Sequence, residues 1–478
     1  MNWKPFIAAF TTIFLAGLML LAYPLFHEAY PFLQQNFRTY NSPLLAVDSI
    51  GIDTSFVKKD SVTVASVAQI DSPQVVLSYI SPPKLKAYSG YEYLNSFLSS
   101  IETSERQIRI AYFGDSSIEG DLISQTVRDS LQRRFGGSGV GFMPITSKTS
   151  GFRRSIRHFY SKNWYHCYIG RKNTQAKRRG ISGEYFLTSA EPKIDTIQID
   201  STGRDSVVIT PPDYSFWVSY RPSKLFSTVK TFAGARLFYG TPNFNDTLNY
   251  DQTVGRVRVR TSDTDTFHAL KYNSYVNQTQ LFNQTTEKLT VNFEVPKSMP
   301  IYGVSLESES GVILDNFSSR GNMGPGLKYI SEPVLRDFQK YMDYDLIILQ
   351  FGLNVTDPDL KDLSWYKKDM IETIRHFQIA MPGVSILIIG PSDVARKIEG
   401  QMRTDPSVAL ISQSLQDAAM ETHTAFFSIY EAMGGEGSMV NWVHNKRPKL
   451  ANPDYTHFNF KGAEVVGNYI LDYLLQEL

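Results

Sequence analysis

The stretch IRIAYFGDSSIEGDLISQTVRDSLQRRFG, residues 108–136, decides how the rest of the chain is read. Its first seven residues, Ile108 to Gly114, are mostly apolar and strand-forming. A short polar turn follows, and then Leu122, Ile123, Val127, Leu131 and Phe135 recur at steps of mainly three and four residues, which predicts an amphipathic helix. Gly136 and Gly137 stop that helix. A strand, a tight turn and a helix in succession form the opening unit of a parallel α/β sheet.

Downstream of this unit the rhythm breaks and later resumes. Between about Gly151 and Pro300 alternation is clear in KLTVNFEV, where Leu289, Val291, Phe293 and Val295 share a face, and around Val257 and Val259. Turn residues separate these short pieces and helical patterns are absent, which predicts an antiparallel sandwich or jelly roll. Strand-like runs then return as GVILD (311–315), DLIILQF (345–351), VSILIIG (384–390) and TAFFSI (424–429). Helical patterns over 333–341, 363–380, 408–422 and 462–475 lie between and after them. The expected fold is a flavodoxin-like three-layer α/β domain, in two parts over 85–150 and 306–478, interrupted by an inserted all-β domain over 151–305.

The chain has 478 residues, with 48 Lys and Arg against 47 Asp and Glu, so net charge favours no polyanionic partner and nucleic acid is excluded as an expectation. Cys167 is the only cysteine, which rules out an intramolecular disulfide and a multi-cysteine metal site. Residues Pro5 to Phe26 carry no charge and follow Lys4. That length suits a transmembrane helix within an anchor segment 1–29, with a cleaved signal as the rival. Lys4 favours placing the remainder outside the cytoplasm. Residues 30–84, rich in Ser, Val, Asp and Pro at their centre, read as a linker that holds the folded part off the membrane.

Three stretches beside predicted strands carry chemistry. Gly114-Asp115-Ser116-Ser117 sits where the first strand turns into its helix, which exposes a serine hydroxyl near a helix N-terminus. Asp454-Tyr455-Thr456-His457 places a carboxylate and an imidazole on one turn, the pair needed to take and return a serine proton. Gly352-Leu353-Asn354 follows DLIILQF, and its amide is placed to donate to a developing oxyanion. Each has a plain alternative: a helix N-cap, a commonplace Asp-x-x-His, and a left-handed turn. The histidines 158, 166, 268, 376, 423 and 444 show no ligand spacing. The basic run from Arg171 to Arg179 reads as a solvated loop tip. Trp442 and His444 border the pocket or belong to the core; Asp393 lines the cleft or caps a turn.

Taken in order, these stretches resemble the SGNH, or GDSL-type, hydrolases, over about 85–150 and 305–478. The resemblance implies that Ser116 is the nucleophile, His457 the general base and Asp454 its orienting carboxylate. Ser117 is the competing nucleophile on local sequence. It also implies an oxyanion hole from the N–H groups of Ser116 and Gly321 with the Asn354 amide, Gly324 and Gly326 being the nearby alternatives to Gly321. No cofactor or metal is implied. Leu353 departs from the small hydroxyl residue that many members carry. The continuation GDLISQTVRDSLQRRFGGSGVGF and the β-rich insert are similar to bacterial peptidoglycan O-acetylesterases, in which a carbohydrate-binding-like module interrupts the hydrolase domain. The implied activity is removal of O-acetyl groups from an envelope glycan. An O-acetyltransferase working beside a membrane acyltransferase is the alternative enzyme. A non-catalytic glycan-binding envelope protein is the alternative of another class.

Overall fold

The computed structural model describes residues 88–478 apart from 170–175, 189–192, 200–204, 211–214 and 243–251. These residues belong to one compact unit, Ser78–Leu478. The anchor and linker segments lie outside the described residues, and no helix among those described is long and apolar enough to cross a membrane.

Five strands form the central sheet: β1 (Gln107–Gly114), β2 (Gly311–Ser318), β3 (Tyr344–Gln350), β4 (Ser385–Gly390) and β5 (Ala425–Ser428). Their order is β2-β1-β3-β4-β5, and every pairing is parallel. The order reverses at β1, which is where an open α/β sheet opens a crevice at its C-terminal edge. Both faces of β1 are buried, with Ile108, Ile110 and Tyr112 on one side and Ala111 and Phe113 on the other. Such two-sided burial demands the continuous apolar runs seen in the sequence.

Helices cover each face. Helices α1 (Asn95–Thr103) and α2 (Ser124–Phe135) pack on the first face with the last helix of the chain, Phe460–Leu474. The second face takes α3 (Glu332–Met342), α4 (Ser364–Ala380) and α5 (Ser407–Thr422). Two short helices, α6 (Ile429–Met433) and α7 (Ser438–His444), precede the last one, which is α8.

The insert is a sandwich of antiparallel sheets. One sheet has five strands, in the order 265–272, 252–260, 289–294, 216–222 and 156–160. The other contains 276–282, 234–240, 301–307, 185–187 and 165–167, with 141–143 paired to 301–307. Their inner faces enclose a separate core that includes Val218, Leu237, Val257, Val291 and Val304. The insert's sheet therefore begins at Gly141, about ten residues before the expected boundary.

A buried charge network ties the insert to the central sheet. Arg109 on β1 donates from Nε to Asp315 on β2 at 2.7 Å, and from Nη1 to Glu307 of the insert at 2.6 Å. Asp315 also accepts from the Tyr344 hydroxyl at 2.7 Å and the Phe142 N–H at 2.7 Å. Burial works against the Glu307 carboxyl's ionisation, but Arg109 and Arg236 outweigh it and bring its pKa down to about 2. The basic run is corrected in part: Arg178 and Arg179 are buried, and Arg178 donates to the carbonyls of Thr241, Pro242 and Ser298.

Candidate active site

Asp454 explains the Asp-x-x-His spacing. One carboxylate oxygen accepts the N–H groups of Thr456 and His457, each at 3.0 Å, and so holds the turn. The other oxygen lies 2.8 Å from His457 Nδ1. Tyr455 takes the left-handed conformation that this turn requires, with φ of 55°. Asn459 then caps α8 by accepting from Lys461 and Gly462. With Nδ1–H directed at Asp454, the opposite nitrogen, Nε2, presents its lone pair 3.1 Å from Ser116 Oγ.

The electrostatics follow from these contacts. The Asp454 hydrogen bond raises the His457 pKa above its ordinary value; partial burial opposes this, Asp115 adds to it, and the Arg320 charge lowers it. Burial raises the Asp454 carboxyl, yet the imidazole and the turn N–H groups overcome this and hold it below the usual range. Both side chains remain about half exposed, so a bulky ester can reach them.

Ser117 is not equivalent to Ser116. Its hydroxyl donates to Asp115 Oδ1 at 2.7 Å and its N–H donates to the same oxygen at 2.9 Å. Asp115 is fully buried, which pushes its carboxyl upward despite these bonds. Its other oxygen accepts from Asn354 Nδ2 at 3.0 Å. Asp115 therefore fastens the serine turn to the Asn354 turn. This fastening role was not legible in the sequence, because nothing in Gly114-Asp115-Ser116 marks the acid as buried.

The loop after β2 closes the third side. Ser319 donates its N–H to Gly114 O at 2.9 Å, and Asn322 donates to Ser319 O at 3.1 Å. Gly321 occupies the third position of that turn with φ of 77°, a conformation that favours glycine. Arg320 holds Glu119 at 2.6 Å. The Ser116 and Gly321 N–H groups have no protein acceptor among the described residues. Asn354 differs from expectation: its second N–H donates to Asn322 O at 3.1 Å, so both amide donors are engaged. Donation to an oxyanion requires Asn322 O to give way.

Other sequence candidates fall elsewhere. Asp393 is buried and accepts from Thr404, Ser438 and the Met439 N–H, so it caps α7. Trp442 is a core residue, and His444 contacts the Tyr455 hydroxyl at 2.5 Å.

The sheet order and the interrupting sandwich give the chain a fold resembling that of a solved peptidoglycan O-acetylesterase. A solved peptidoglycan O-acetylesterase superposes over 82% of this chain and 96% of its own, with a TM-score of 0.60 at 19% identity. A GDSL-like lipase from Parabacteroides merdae overlaps 34% of this chain and 73% of its own, at 15% identity and TM-score 0.26. The periplasmic domain of a lipopolysaccharide acetyltransferase from Salmonella ser. Paratyphi A overlaps 35% of this chain and 74% of its own, at 14% identity and TM-score 0.28. No family model matches the sequence, and no curated protein does.

Proposed function

We propose that the protein is a serine esterase that removes O-acetyl groups from a peptidoglycan-like carbohydrate of the cell envelope. The observation that carries this reading is the continuous relay from Ser116 Oγ to His457 Nε2 at 3.1 Å and from His457 Nδ1 to Asp454 at 2.8 Å. Ser116 Oγ attacks the acetyl carbonyl while His457 Nε2 takes its proton. The Ser116 and Gly321 N–H groups, with Asn354 once released from Asn322, stabilise the tetrahedral oxyanion. Collapse breaks the ester bond, and His457 returns the proton to the departing sugar hydroxyl, leaving acetyl-Ser116. Water then attacks, gives its proton to His457, and acetate leaves as Ser116 regains its hydrogen.

Acting on an envelope glycan, the enzyme would work outside the cytoplasm, held to the membrane by the uncharged run Pro5 to Phe26. The test is free acetate from O-acetylated peptidoglycan. Release by the protein and none by Ser116→Ala is the expected result. No release from glycan, with acetyl transfer to it from an added acyl donor, would replace hydrolysis by transfer.

A further inference from the structure

A recess of about 100 Å³ lies between the turn 144–149 and the loop after β2. Arg153, Lys148 and Arg320 line it, together with Glu119, His166 and Glu184. Neither Ser116 nor His457 is part of its wall, but two of its lining residues, Glu119 and Arg320, act on them. Glu119 donates its N–H to Ser116 O at 3.2 Å, and the Arg320 charge reaches the His457 imidazole.

The balance of charge in this recess is unequal. Arg320 is paired with Glu119 at 2.6 Å, and Glu184 faces the His166 ring at 3.4 Å. Lys148 and Arg153 have no carboxylate within ion-pair distance among the described residues. Lys148 is exposed, with its ammonium 5.8 Å from the centre of the Tyr168 ring. Arg153 is only 8% exposed. Its Nη1 points to the Met143 sulfur at 3.1 Å, and its Nε meets no hydrogen-bond acceptor.

The acid that acts most strongly on Arg153 through space is Asp121, with Glu119 adding a smaller effect, and Asp121 is already engaged. Asp121 gives one oxygen to Ser124 and to Arg128 Nη1, and the other to Arg128 Nη2 and Ser155. Two guanidinium groups thus share one saturated carboxylate, and a buried positive charge is left over. A buried charge without a hydrogen-bonded counter-charge is costly, and an entering anion offsets that cost. Burial accordingly lowers the Arg153 pKa, with Asp121 compensating only through space.

We propose that this recess takes a free carboxylate carried by the glycan on which Ser116 acts, that of a muramic acid without its stem peptide, with the buried Arg153 as its inner donor and the exposed Lys148 as its outer one. The proposal deepens the esterase reading and rests on it for the identity of the bearer. A planar guanidinium suits a carboxylate, and holding that carboxylate fixes which acetyl group of the chain meets Ser116.

Binding separates the two readings because it needs no turnover. The full-length protein would be titrated calorimetrically, at low salt, with N-acetylmuramic acid and with N-acetylglucosamine, which differ by a carboxylate-bearing ether. The acid should bind about tenfold or more tightly. Lys148→Met should reduce that advantage to about threefold or less, and Arg153→Met should do the same if circular dichroism shows it folded. Equal binding of the two sugars, binding of neither, or an advantage unchanged in Lys148→Met overturns the proposal. Selective binding without acetate release would leave the recess standing and remove the esterase reading; acetate release without selective binding would do the reverse.

Discussion

Replacing Asp454 by asparagine exchanges one oxygen for an NH2 group and leaves the shape of the turn almost untouched. The two oxygens of Asp454 do separate work, one holding the Thr456 and His457 N–H groups and the other holding Nδ1. Asparagine can satisfy only one of these demands. If its oxygen stays on the turn, its NH2 donates to Nδ1, which forces the imidazole proton onto Nε2. Ser116 then faces an N–H where it needs a lone pair. In the Ser-His-Asp template the corresponding change costs about 10⁴ in kcat. If the amide flips, two backbone hydrogen bonds are lost at roughly 1 kcal/mol each. About 2 kcal/mol corresponds to roughly thirtyfold, at 1.36 kcal/mol per decade. Activity on 4-nitrophenyl acetate should therefore fall by between about 30-fold, where the flipped minority is fully active, and about 10⁴-fold, where it is not. Nitrogen NMR of the imidazole should show the proton moved to Nε2. A variant within tenfold of wild type would refute the division of labour between the two oxygens.

Further outcomes follow from the same geometry. Ser116→Ala should abolish ester turnover, whereas Ser117→Ala should retain most of it and lose about 1 kcal/mol of stability in urea titration, from the bond to Asp115. Because the His457 pKa is raised above 6.5, kcat/KM for the small ester should fall on acidification through a midpoint above that value. Arg320 lowers that pKa, so Arg320→Ala should move the midpoint still higher and reduce the rate at pH 6; a midpoint shifted downward would contradict the assignment. Arg109→Met leaves Glu307 and Asp315 buried without their main cation, and should cost about 3–5 kcal/mol in chemical denaturation.

The central sheet was legible because its strands are buried on both faces, which leaves uninterrupted runs such as DLIILQ; each of the five lies within a few residues of its expected place. Ser116, Asp454 and His457 were legible for a different reason. Each sits in a short motif beside a predicted strand or helix, Asp454 holds its own turn through the Thr456 and His457 N–H groups, and the structure brings the three together. What the sequence concealed is mostly non-local. The pairing of 141–143 with 301–307 joins segments about 160 residues apart, and nothing in Gly141-Phe142-Met143 announces it. Arg178 looked solvated because its neighbours are basic, yet the carbonyls that receive it come from two distant loops. The capture of Asn354 by Asn322 likewise depends on where two loops meet.

Ser116 and His457, the nucleophile and base of the proposed reaction, are 341 residues apart in the chain. During synthesis at about 5–20 residues per second, the serine emerges roughly 17–70 s before its base exists. A growing chain thus carries a hydroxyl of ordinary reactivity, harmless to any ester it meets. In the proposed enzyme, catalytic competence arrives late and all at once, when Asp454 and His457 fold back against the first strand to be made of the central sheet.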